Sequence, residues 1–271
     1  MNRYIKLVLM EINRFRFVLA SLFGITAVVQ IASLLWTVSR EVNKREELAM
    51  EQPTMAFVPL SSGWAVGSIA VSIMLSVLLC TFVLLAYALV IWYRDWVGRS
   101  AFIYRLLMLP TARRHIYLAK ATTVIVLFLA FVSFQFVLLC IHHLIAKLLI
   151  PAAMWEPSPI MNVLRSVDAS SLLLPHNGQQ WLYNYGLGII AVFVLFTAIM
   201  LERCYGRPGI LYGVLYAGCC SALIALPIVF QYEITLLYPA ELIALFIVVC
   251  LLVLGLSVWL GMRLIAKKIT V

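Results

Sequence analysis

Few side chains in this sequence combine the type and spacing that chemistry requires. His142 and His143 are adjacent, so on a helix they point about 100° apart, and a metal ion there would need ligands from elsewhere. His115 follows Arg113 and Arg114, a setting that suits a membrane boundary, and His176 precedes the turn pair Asn177-Gly178. There is no GxxxxGK[ST] loop, no HExxH and no GxSxG, and no pair of carboxylates at helical spacing lies within an apolar run. The chain is therefore expected to have no catalytic residues, no metal site and no nucleotide site of its own. The six cysteines (Cys80, Cys140, Cys204, Cys219, Cys220, Cys250) lie in or beside apolar runs without CxxC spacing. They read as small buried hydrophobes rather than a disulfide or zinc framework.

The remaining polar groups within the apolar runs are mild: Gln30, Ser68, Ser72, Thr81, Tyr87, Ser133, Gln135, Thr197 and Ser221. Hydrogen bonding between helices accounts for such residues. The functional reading is a path for an amphiphilic solute, with Gln135 among Phe131 and Phe134 as its best candidate and Tyr87 as a further one. Lys120, Glu202 and Glu241 fall at the ends of apolar runs, where long side chains are expected to reach water. No charge is expected at the centre of any run, which argues against coupling to a proton or sodium gradient.

The elements that position these residues follow from composition. Of 271 residues, 65% are apolar and 11% charged, against about 45–50% and about 25% in soluble domains. The chain reads as an all-α integral membrane protein forming a single domain over residues 1–271. Six apolar runs have spanning length, at about 17–38, 64–92, 121–141, 185–201, 209–230 and 240–264. Residues 1–16 alternate apolar and basic positions, with Tyr4, Ile5, Val8, Leu9 and Ile12 on one face. That pattern predicts a separate interfacial helix before the first span. Residues 151–184, rich in proline and aromatics, predict a loop at the outer boundary. Gly213 with Ala217, and Ser257 with Gly261, place small residues four apart for close helix approach. With the N-terminus inside, fifteen of twenty basic residues but three of eleven acidic ones lie on the cytoplasmic side. Six spans with both termini in the cytoplasm therefore satisfy the positive-inside rule. This also accounts for the net charge of +9 without nucleic acid as a partner.

Between spans two and three lies a basic stretch, residues 92–119, WYRDWVGRSAFIYRLLMLPTARRHIYLA. As a helix it is amphipathic, with Asp95 able to pair with Arg99 one turn on, and Pro110 ends it. Arg94-Asp95, Gly98, Leu109-Pro110, Ala112-Arg113 and Lys120 resemble the D-x-x-G, L-P-x-x-R and K pattern of the membrane subunits of type-2 ABC exporters. The topology of the whole chain resembles that family as well. The resemblance implies an elbow helix at the N-terminus and a coupling helix in the 92–119 segment, docked on a separate cytoplasmic ABC ATPase that carries ATP and magnesium. It implies ATPase contacts at Arg94, Asp95, Trp96, Gly98, Arg99, Phe102 and Arg105, with a smaller contact at Glu202, Arg203 and Arg207. A second permease copy or a paralogue, membrane lipids, and a bacterial cytoplasmic membrane location are further implications. The cargo expected from the resemblance is amphiphilic: an antimicrobial or toxic peptide, an antibiotic or a lipid-like molecule. The alternative is a membrane sensor or assembly subunit that docks a cytoplasmic partner without transport.

Overall fold

A computed structural model describes residues 3–51, 59–97, 113–157, 178–233 and 238–267. These residues are almost entirely helical, and six helices are long and apolar enough to cross a membrane. Helix α1 spans Arg3–Glu51. At 49 residues it is about 74 Å long, given a rise of 1.5 Å per residue. No break separates an N-terminal interfacial helix from the first span, contrary to the expectation for residues 1–16. The physical reason lies in the sequence: residues 3–23 contain neither glycine nor proline, so nothing interrupts the hydrogen-bond ladder. Past the apolar run the helix continues through polar residues, where Arg45 donates to Glu41 at 2.9 Å across one turn.

A two-residue strand β1 (Leu60–Ser61) pairs in parallel with β2 (Trp155–Glu156), a contact the sequence did not suggest. Ser61 caps the following helix α2 (Ser62–Ser68) by accepting from the Trp64 backbone N–H at 3.2 Å. Ile69, at φ −103° and ψ 13°, separates α2 from α3 (Ala70–Val97). Helix α4 covers Arg113–Leu149. The short α5 (Gly178–Trp181) passes through a π-helical turn, Leu182–Gly186, into α6 (Leu187–Tyr205). Gly206 then adopts φ +67°, a conformation that favours glycine, and its N–H caps the Glu202 carbonyl at 2.9 Å. Helices α7 (Arg207–Glu233) and α8 (Pro239–Lys267) complete the fold. The six long helices match the six runs expected from hydropathy, with α3 and α4 extending into the 92–119 segment from both sides.

The chain forms two compact units of interleaved segments: residues 1–14, 83–127 and 178–271 in the first, and residues 15–82 and 128–177 in the second. In the first unit α6 packs against α7 and α8. A Cβ placed on Gly209 would lie 2.5 Å from the Leu201 carbonyl oxygen, and one on Gly213 2.8 Å from that of Ala198. The small side of α7 thus serves contact within the chain. Gly261 of α8 similarly faces the ring of Tyr117, at 2.6 Å from where its Cβ would be. Trp92, Tyr117, Phe193 and Phe196 interlock as edge-on and tilted pairs. The second unit is built on an aliphatic core that includes Leu34, Val38, Leu60, Val66, Ile73, Leu139 and Ala146. Phe23 stacks on Phe134 with centroids 4.2 Å apart and touches Phe131 at 6.4 Å.

Of the mild polar groups, Tyr87 and Thr197 bond between helices, to the carbonyls of Glu11 and Ser257. Ser68, Thr81, Ser133 and Ser221 instead donate to carbonyls three or four residues back in their own helices. A short hydroxyl finds that acceptor without needing a neighbour. Cys80, Cys220 and Cys250 are buried, as expected for small hydrophobes, whereas Cys140 and Cys219 are exposed on helix surfaces.

Candidate functional site

The first unit contains a cluster of charge that hydropathy reading did not anticipate. Glu11 of α1, Asp95 of α3 and Lys120 of α4 are only 2%, 2% and 1% exposed. Lys120 does not reach water from the end of its apolar run; it is turned inward. Its Nζ donates to Asp95 Oδ2 at 2.5 Å and to the Ile91 carbonyl at 2.8 Å. It also lies 3.5 Å from Glu11 Oε1 and 4.8 Å from the centroid of Trp92. Arg94 donates to Glu11 Oε2 at 2.7 Å, and Arg14 lies 3.4 Å from Asp95 Oδ1 and 3.7 Å from Glu11 Oε1. Each buried carboxylate therefore meets more than one cation. This arrangement is required if burial of charge is not to be prohibitive. Tyr87 adds a donor to the Glu11 carbonyl at 3.4 Å.

The helical register explains why these groups converge. Tyr4, Val8, Glu11 and Phe15 recur at spacings of three and four residues, so Glu11 stands on the packed stripe of α1 rather than its polar side. Tyr4 bonds Thr122 at 3.0 Å and meets His115 edge-on, which fixes the N-terminal turns of α1 against α4. A carboxylate on an apolar stripe was the signal available in the sequence. The basic residues Arg3, Lys6, Arg14 and Arg16 around it give residues 1–16 the composition of a surface helix.

Next to this cluster, Tyr93 donates to the Glu202 carboxylate, linking α3 to α6. The Arg203 guanidinium lies 4.7 Å from the Tyr93 ring centroid and 5.8 Å from that of Trp96. Arg94, Asp95, Trp96, Glu202 and Arg203, expected from widely separated parts of the chain, thus lie in one region of the first unit. Arg207 is exposed at the start of α7. Gly98, Arg99, Phe102 and Arg105 lie outside the described residues, as does the remainder of the expected coupling helix over 98–112. For Asp95 the described partners are Lys120, Arg14 and Arg94, in addition to any pairing with Arg99.

The expected solute path divides between the units. Tyr87 belongs to the first, bonded to α1. Gln135, Phe131 and Phe134 belong to the second, where Gln135 is fully buried and Phe131 packs toward Phe23. Chemically, the charged cluster can fix helices through several directional contacts. Among the described residues there is no group of three or more His, Cys, Asp or Glu side chains placed to hold a metal ion. Comparison with protein-family models, curated proteins and solved structures finds no match to this chain.

Proposed function

We propose that this chain is the membrane-spanning subunit of an ATP-driven exporter of the type-2 ABC class. In this reading it pairs with a second permease, identical or paralogous, and with separate cytoplasmic ATPase subunits, in a bacterial cytoplasmic membrane with both termini inside. One observation carries the reading: a buried, multiply paired charge cluster sits at the root of the basic 98–112 segment and ties α3 to α1 and α4. A displaced surface loop would bend independently of the membrane helices. A segment whose base is clamped by Lys120, Asp95 and Glu11 passes displacement to three helices together. ATP binding on the partner would move the segment, and its differential affinity for two conformations would shift their populations.

In this scheme Trp96, Gly98, Arg99, Phe102 and Arg105 contact the ATPase, with Arg203 and Arg207 as the smaller contact. Arg94, Asp95 and Glu202 hold the base of the docking segment through their bonds within the chain. Cargo is amphiphilic, and ATP with magnesium stays on the partner. The test is co-purification with the cognate ATPase, followed by Gly98→Pro and Trp96→Glu. Both substitutions should abolish complex formation and stimulation of ATP hydrolysis. Full retention of both properties by both variants refutes the coupling role.

A further inference from the structure

Twelve polar or charged residues are buried among the described residues. Nine of them have hydrogen-bond or ionic partners, from Glu11 and Lys120 to Thr197 and Ser257. The other three are Gln30, Gln135 and His142, each 0% exposed, with both polar atoms of each side chain unpartnered. All three belong to the second unit. Chance would scatter such groups, but the register collects them. Gln30 is seven residues past Phe23 on α1, hence on the same face, about 10 Å further along. Phe23 meets Phe131 and Phe134 of α4, and further along both helices Leu34 and Val38 of α1 share one core with Leu139 and Ala146 of α4, so within this unit the two helices run parallel. The level of Gln30 therefore corresponds to residues 138–141 of α4. Gln135 and His142, seven apart on the face of Phe131, bracket that level.

We infer that Gln30, Gln135 and His142 form a binding site for an uncharged amide group carried on an apolar body. Each glutamine amide offers donors and an acceptor, and imidazole offers a donor at one nitrogen and an acceptor at the other. No Asp, Glu, Lys or Arg is buried among the described residues of this unit, so an ionic ligand would find no counter-charge. The aromatic rings of Phe23, Phe131 and Phe134 flank the polar level and suit the apolar part of such a ligand. A buried polar group without a partner destabilises the fold, so these three positions favour the ligand-bound form at the expense of the free one. The site stands apart from the exporter reading, because binding needs no ATPase.

The experiment uses the full chain in lipid nanodiscs without ATPase. Two probes are titrated: a capped hydrophobic dipeptide, N-acetyl-leucyl-leucine N-methylamide, and an N-methyl fatty amide. Saturable binding of either is expected, and which one binds identifies a peptide or a lipid source. Gln30→Leu and Gln135→Leu should each weaken Kd about tenfold, equivalent to about 1.4 kcal/mol, while raising the melting temperature of the ligand-free protein. Gln135→Met, closer in shape to glutamine, serves if leucine perturbs folding, and His142→Phe tests the third member. The ester analogue of the dipeptide, which lacks one N–H, should bind more weakly to wild type and equally to the variants. Absence of saturable binding by both probes, or binding unchanged by all the variants, overturns the proposal.

Discussion

Replacing Lys120 by methionine tests the charge cluster most directly. The substitution keeps the length and apolar stem of the side chain and removes only the ammonium group. Asp95 then loses its nearest cation, at 2.5 Å, and is left with Arg14 at 3.4 Å and Arg94 at 3.9 Å. Glu11 keeps Arg94 at 2.7 Å. Removing one partner of a buried pair costs about 3–5 kcal/mol, and the retained arginines place this case near the lower end. For a chain of this size about 1 kcal/mol corresponds to about 2–4 °C, so the melting temperature should fall by about 6–12 °C. Scanning fluorimetry in detergent at one fixed heating rate is the assay, since unfolding of such a protein is read as a rate as much as an equilibrium. Arg14→Met is the control: its side chain is 31% exposed, so its loss should be about 1 kcal/mol or less. The double variant Asp95→Leu with Lys120→Met removes both charges and should recover much of the loss. If Lys120→Met melts no lower than Arg14→Met, or the double variant loses the sum of the single effects, the cluster does not hold these helices.

Further predictions follow from the packing and the proposed orientation. Gly261→Ala drives a methyl group into the buried Tyr117 ring, 2.6 Å away, and should destabilise by about 1–3 kcal/mol in the same melting assay, with partial rescue by Tyr117→Leu. Gly209→Ala meets the Leu201 carbonyl oxygen at 2.5 Å, a backbone atom that cannot turn aside, and no side-chain change opposite should rescue it. Thr197→Val removes the bond to the Ser257 carbonyl at 2.9 Å and should cost about 0.6–1 kcal/mol, the usual worth of a hydrogen bond between membrane helices. With the six native cysteines replaced, Arg99→Cys and Arg105→Cys should react with an impermeant maleimide only after the cytoplasmic face is opened. Labelling in intact cells reverses the proposed topology and removes the ATPase contact with it.

How far the sequence could be read depended on the range of the interactions involved. Hydropathy is summed over about twenty neighbouring residues, and it located all six long helices, including Gly209 to Phe230 within α7. The helix ends were less legible, because polar residues such as those at 39–51 continue a helix when their neighbours at i+4 pair and no breaker intervenes. By local sequence alone, Lys120 is a side chain at the edge of an apolar run. Whether a lysine at such an edge turns to water or inward depends on what faces it, and Glu11 and Asp95 are distant in sequence.

The amino-acid order by itself determined that this is a helical protein with six segments able to cross a membrane, and that no familiar hydrolytic or nucleotide-binding motif is present. Those properties reside in composition and in periodicity over a few turns. Only the tertiary structure decided that Glu11, Asp95 and Lys120 share one buried network, that Gly213 and Gly261 pack within the chain, and that Gln30, Gln135 and His142 are buried without partners. Burial and pairing are properties of facing surfaces, and a sequence does not state which surfaces face each other until the helices have packed.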